Sequence, residues 1–218
     1  MAKKKYLQLP KEYLSQSQIS IWERSPDKYA TMYFDGDINK TVYNDSMGYG
    51  KEFADALENY ENTDNLLTDA AILLLQKYDV RDQEMFAELK TKHGWIKLLA
   101  KPDTFNSKTC EFREYKTGKV AWTQNKANKH FQLFFYAAVI YLKHGVVLDH
   151  CYLDWIETAE SVITDPDDFL VGTMRVQPTG KIKSFKVEVG LPKILETLAR
   201  IIKAAKEIEI AYASHIKN

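Results

Sequence analysis

The spacing of apolar residues along the chain changes period several times, and each change marks an element. In SQSQISIWERSPDKYATMYF, Ser15 to Phe34, the residues Ile19, Trp22, Tyr29, Met32 and Tyr33 follow helical spacing, with Ser15 or Ser17 as N-cap. Pro26 cannot donate within a helix, so it divides this stretch in two. DGDINKTVYNDS reads as a loop from its turn residues. In Met47 to Tyr60, Phe53, Ala56, Leu57 and Tyr60 share a helix face, and a second helix is predicted from about Thr63 to Tyr78.

Beyond Tyr78 the period shortens towards that of strands. EMFAELKT and WIKLLAKPDTF flank Lys92-His93-Gly94 as a predicted hairpin, and KTCEFREYKT is a third strand stopped at Gly118. Lys126 to His144 returns to helical spacing, with Gly145 as the C-terminal stop. VVLDHCYLDWIET is the next strand, and TMRVQPTGKIKSFKVEV reads as a hairpin turning at Pro178-Thr179-Gly180. Leu191 to His215 is a long amphipathic helix with Pro192 in its first turn. Helices, three strands, a helix, strands and a helix in this order predict an α/β fold, a mixed central β-sheet flanked by helices.

Composition narrows the class without choosing a function. A length of 218 residues fits one domain spanning 1–218, and 45% hydrophobic with 28% charged residues is ordinary for a globular chain. Thirty basic against thirty acidic residues give zero formal charge, which neither favours nor excludes nucleic acid, because a basic groove can hide in a neutral total. Cys110 and Cys151 are the two cysteines, far apart, so a disulfide scaffold, a zinc ribbon and a four-cysteine iron–sulfur cluster are unsupported. Both are expected on strands, buried and inert. The five histidines lack paired ligand spacing, and no phosphate-cradling glycine loop is present. The basic N-terminus has no apolar segment behind it, and the longest apolar runs are too short to span a bilayer; no membrane association and a cytoplasmic location are expected.

The segment KPDTFNSKTCEFREYKTGK, Lys101 to Lys119, carries the chemistry. Residues two apart in a strand share a face, so Glu114 and Lys116 project together while Tyr115 points into packing. If the strand holding Asp103 pairs antiparallel with this one, two carboxylates and an ammonium converge. Two carboxylates that close repel unless a cation lies between them, and oxygen donors suit Mg²⁺ or Mn²⁺. Glu-x-Lys alone is equally the mark of a solvated charged strand. Lys108, Arg113, Lys119, Lys126 and Lys129 surround it with Trp122, a mixture able to follow a phosphate backbone and stack a base, or simply a solvated edge.

In order, Ala100, Asp103, Glu114, Lys116, Thr117 and Gly118, followed by Gln132 and Tyr136 on a helix, resemble the PD-(D/E)XK nuclease superfamily, in particular its RecB-like branch. The resemblance runs from about Ser15 to His144. It includes the N-terminal helix, where Ser25 stands in place of a cysteine that some relatives give to an iron–sulfur cluster, so none is expected here. It implies a restriction-endonuclease-like core of about 84–145, a helical N-terminal part of about 15–80, and C-terminal strands and a helix of about 146–216. It further implies a Mg²⁺- or Mn²⁺-dependent deoxyribonuclease, an exonuclease acting on DNA ends or single strands. Asp103, Glu114 and the carbonyl of Tyr115 would hold the metal. Glu52, standing where many members have histidine, is either an auxiliary ligand or an ordinary helix residue. Lys116, Gln132 and Tyr136 complete the implied catalytic set, and Lys119, Trp122, Lys126 and Lys129 are candidates for touching nucleic acid. DNA, a recombination or replication protein, and a bacterial or phage-infected host follow from the same resemblance. The other reading is a catalytically silent nuclease-fold module that grips DNA or protein.

Overall fold

The computed structural model describes residues 4–37, 45–59, 65–81, 83–164, 166 and 171–217. The N-terminal stretch begins with a short strand β1 (Leu14–Ser15), then α1 (Gln16–Arg24), α2 (Pro26–Tyr29) and a π-helical turn (Ala30–Phe34). Ser15 caps α1 by accepting from the Gln18 N–H, and Ser25 caps α2 ahead of Pro26, so the predicted division at the proline holds. Helix α3 (Asp45–Asn59) and helix α4 (Leu66–Leu74) follow, the latter capped by Asn65. The predicted loop at Asp35 to Ser46 falls largely outside the described residues.

The strands are β2 (Val80–Arg81), β3 (Met85–Lys90), β4 (Trp95–Ala100), β5 (Thr104–Phe105), β6 (Phe112–Gly118), β7 (His150–Val162) and β8 (Met174–Glu188). The fold is α/β with mixed sheets flanked by helices, as expected. The strands form two ladders rather than one: β1-β4-β3, and β2-β5-β6-β7-β8. The break falls at Lys101 to Asp103, where Pro102 supplies no N–H and the run predicted as one strand divides into β4 and β5. Strand β5 pairs antiparallel with β6, and β6 pairs parallel with β7. A parallel neighbour requires a crossover, and α5 (Gln124–Ala127) with α6 (Phe131–His144) supplies it. The predicted helix Lys126 to His144 is therefore two helices, parted at Asn128 to His130.

A second correction concerns Pro178-Thr179-Gly180. These residues lie inside the continuous strand β8 instead of turning a hairpin, and the hairpin is formed by β7 with β8 around a distant loop. The ladder shifts register between Ile156 and Thr158, where Ile156 faces Ile182 and Thr158 faces Pro178. Residues 179–181 form a bulge, Gly180 takes φ +85°, and the edge position of β8 tolerates the missing proline N–H.

Helix α6 is buried almost all round, with Phe131 and every residue from Leu133 to Ile140 inside. It packs against β3, β4 and β7, and against α7 (Gly190–His215). Helices α3 and α4 build a second apolar layer with Phe53, Leu57 and Ile72 around Tyr115, Ile156 and Val176. Cys151 lies on β7 as expected, whereas Cys110 occupies the turn before β6 at φ 61°; both are buried. No helix among the described residues is long and apolar enough to cross a membrane.

Candidate active site

Strand β6 presents Glu114 and Lys116 on one face and Arg113 and Tyr115 on the other, and the two faces have different tasks. Glu114 is buried, and its Oε1 accepts from Lys116 Nζ at 2.6 Å and from Gln132 Nε2 at 2.5 Å. Its Oε2 is buried and has no hydrogen-bond partner. Burial pushes the Glu114 carboxyl above its ordinary value, opposed by the Lys116 charge, by the hydrogen bonds from Lys116 and Gln132, and last by the nearby Asp103 backbone N–H. For Lys116, burial works against the charged form, but the nearby charges of Glu114 and Asp103 and the Glu114 hydrogen bond outweigh it, so its pKa is raised. The ammonium is protonated at neutral pH.

Asp103 comes from the break between β4 and β5. Its Oδ2 accepts from the Tyr115 backbone N–H at 2.6 Å, just beyond the point where the β5 ladder ends at Thr104 opposite Arg113. The antiparallel pairing thus carries Asp103 to the same end of β6 as Glu114. Tyr115 itself turns away, its hydroxyl donating to the Gln76 carbonyl at 2.7 Å.

Helix α6 supplies the wall facing Glu114. Gln132 and Tyr136 are one turn apart, and Gln132 Nε2 also donates to the Tyr136 hydroxyl at 2.8 Å. With its amide nitrogen so engaged, the Gln132 carbonyl oxygen faces His130 Nε2 at 3.1 Å, which fixes that nitrogen as the donor. His130 is pushed down to about 4 by burial first and by the Lys116 charge second, and is neutral at pH 7. Burial also raises the Tyr136 phenol, so it stays a hydroxyl.

The remaining sequence candidates lie further out. Glu52 is ion-paired with Arg175 of β8, in a pocket shared with Tyr49 and Glu160. Trp122 packs edge-on against His130 with ring centres 5.1 Å apart, and Lys126 Nζ lies 4.0 Å over the Trp122 ring. Lys119 pairs with Glu160 at 2.5 Å, and Lys129 is exposed. Arg113 does not join this basic group: it is buried on the opposite face of β6, bidentate to Asp154 at 2.7 and 2.9 Å. Among the described residues no three acidic, histidine or cysteine side chains gather closely enough to cage a metal.

One feature escaped the sequence reading. A cavity of about 490 Å³ adjoins Gln132 and Tyr136 and is lined also by Lys11, Tyr13, Ser15, Ser17 and Lys101. The capping serines were legible as a helix start, but nothing local in the sequence joins them to Lys101 or to α6.

No protein-family model matches the chain, and no curated protein is similar to it. Among solved structures the fold is similar to SSO0001, with a TM-score of 0.52 and 13% identity over 89% of this chain and 75% of that one. A phage-related exonuclease from Haemophilus somnus 129PT has a TM-score of 0.44 at 10% identity, over 92% of this chain and 81% of that one. An alkaline exonuclease from Laribacter hongkongensis has a TM-score of 0.48 at 15% identity, over 94% of both chains. At such identities the likeness to SSO0001 concerns the fold alone.

Proposed function

We propose that this chain is a metal-dependent deoxyribonuclease that hydrolyses phosphodiester bonds, acting as an exonuclease on ends or single strands. The observation that carries the reading is Glu114: a buried carboxylate held at one oxygen by Lys116 and Gln132, with the other oxygen unpartnered. A buried acceptor left open in this way is costly unless something occupies it. The donor chemistry fits a hard divalent ion, since Mg²⁺ commonly takes one or two carboxylates and completes its shell with water and substrate phosphate. Asp103, Glu114 and the Tyr115 carbonyl would hold Mg²⁺ or Mn²⁺, which when bound lowers the pKa of water and neutralises phosphate charge. Glu52 would contribute only after leaving Arg175, so its part in the set is secondary.

The protein's own groups divide the remaining work. Lys116 stays protonated, so it serves as a charged donor and not as a base. Its ammonium orients the attacking water and stabilises the negative charge that builds on phosphorus-bound oxygen as the water oxygen bonds to phosphorus. The attacking water gives its proton to solvent, the P–O bond to the leaving sugar breaks, and that oxygen leaves as a hydroxyl once protonated by solvent. Gln132 holds the Glu114 oxygen in place, and Tyr136 braces Gln132.

The test is incubation of end-labelled single- and double-stranded linear DNA and a closed circle in Mg²⁺, Mn²⁺ or EDTA, beside Lys116→Ala. Metal-dependent loss of label, falling about 10²–10³-fold in the variant, is expected, as for removal of one transition-state donor. Survival of the circle supports the exonuclease reading. An intact substrate under every metal sinks the nuclease, and retained binding would then favour the silent module.

A further inference from the structure

We propose that the outer face of the three-stranded sheet is a stacking track for single-stranded DNA, running from the β3–β4 hairpin to the cavity beside Gln132 and Tyr136. Strands β3 and β4 alternate in burial, and their outward residues are Phe86, Glu88 and Lys90 opposite Leu99, Lys97 and Trp95. Among the described residues no helix packs on this face; α6 packs on the other side, and the N-terminal segment runs beside β4, bridging it at Tyr6 and reaching the face with Tyr13. Such a sheet face would ordinarily be polar. Instead Phe86 and Tyr6 are exposed at 39% and 44%, and Trp95 and Tyr13 are half-buried beside them.

The contacts fall in two groups along this face, one at Trp95 and one at Phe86. Lys4 Nζ lies 4.6 Å and Lys90 Nζ 6.0 Å over the Trp95 ring. Lys97 Nζ lies 4.9 Å over Phe86, whose ring meets Tyr13 edge-on at 5.9 Å. Tyr13 in turn lines the cavity with Lys11, Leu99 and Lys101. From Trp95 to Leu99 the track is roughly 13 Å long at strand rise. Five lysines (Lys4, Lys11, Lys90, Lys97 and Lys101) stand against two acids, Glu12 and Glu88, which pair with Lys97 and Lys4. The excess of positive charge, alternating with aromatic rings, fits a polyanion that also offers bases to stack. A protein partner of acidic character would match the lysines but would leave the rings without stacking partners, so the observations favour the strand.

The track's direction rests on the nuclease reading, because it leads to the Glu114 site; its capacity to bind does not. Fluorescence anisotropy with labelled deoxythymidine oligonucleotides in EDTA separates the two, since no cleavage can occur. Phe86→Ala with Trp95→Phe is expected to weaken a 20-mer about tenfold, the effect of losing one base stack, and to leave duplex binding unmoved. Lys90→Ala tests charge without touching the sheet's packing: its salt slope should fall by about 0.7, one phosphate contact. Phe86→Trp should restore affinity, which a merely unfolded variant could not do. Wild-type affinity in both Phe86→Ala/Trp95→Phe and Lys90→Ala overturns the track even if the protein cuts DNA, as does equal weakening of duplex binding. If the wild type cuts nothing while these variants lose the 20-mer, the track stands and the nuclease reading fails.

Discussion

His130 sits between the indole of Trp122 and the carboxamide of Gln132, and the tautomer that carries its proton on Nε2 matches the carboxamide's orientation. As a neutral ring it donates from Nε2 and leaves both Gln132 amide protons for Glu114 and Tyr136. Its pKa falls from 6.5 to about 4 through burial first and the Lys116 charge second. The depressed value means that the unfolded chain binds a proton before the folded one does. The associated stability is full above about 6.5 and is lost as pH falls towards 4. A shift of this size corresponds to at most about 3 kcal/mol. Urea unfolding of wild type and His130→Gln between pH 7 and pH 4 checks it: the wild type should lose more stability than the variant over that window. Parallel pH profiles would show that the ring is freely hydrated.

At the scale of elements, what the chain discloses in advance depends on whether the partner is local. Glu114 with Lys116, two apart on a strand, and Gln132 with Tyr136, one helical turn apart, share faces by periodicity alone, so their juxtaposition within each element is legible. That Gln132 meets Glu114 depends on α6 crossing over β6, which the helix-then-strand order suggests but does not fix in register. Glu52 is different: its partner Arg175 lies 123 residues away, and no local pattern announces it. Arg113 was misplaced for the same reason, since only the neighbouring strand supplies Asp154. The Pro-Thr-Gly of β8 carries true turn chemistry, yet a bulge uses the same residues as a hairpin does. Gly180 at φ +85° is the position that matters there, and an added Cβ would meet nothing within 4 Å. Gly180→Ala should therefore cost about 1 kcal/mol from left-handed backbone strain alone. A loss well beyond that in chemical denaturation would mean that the register of the whole β7–β8 ladder depends on this glycine.

Across the whole molecule, the two faces of β6 connect the candidate site to the core. On the face away from Glu114, the Arg113–Asp154 pair is almost fully enclosed, with side chains 4% and 2% exposed. Gln76 and Ser184 complete the network, and the Tyr152 ring lies 4.3 Å from the guanidinium. This network joins β6, β7 and β8 to the segment after α4. Its net contribution to stability need not be large, because removing two charges from water costs several kcal/mol that their attraction must offset. Removing one partner is another matter, since the remaining charge is buried without compensation. Asp154→Leu and Arg113→Met should each cost about 3–5 kcal/mol, whereas the double replacement Arg113→Met/Asp154→Leu should recover much of that loss. The coupling in this double-mutant cycle measures how firmly the pair fixes β6. If the double variant is as stable as wild type but loosens the hold on β6, DNA cleavage should fall while unfolding does not change, because Glu114 is the next residue along the same strand. Additive losses, with no coupling, would place the register of β6 in the backbone ladder with β7 and leave Glu114 independent of the charges behind it.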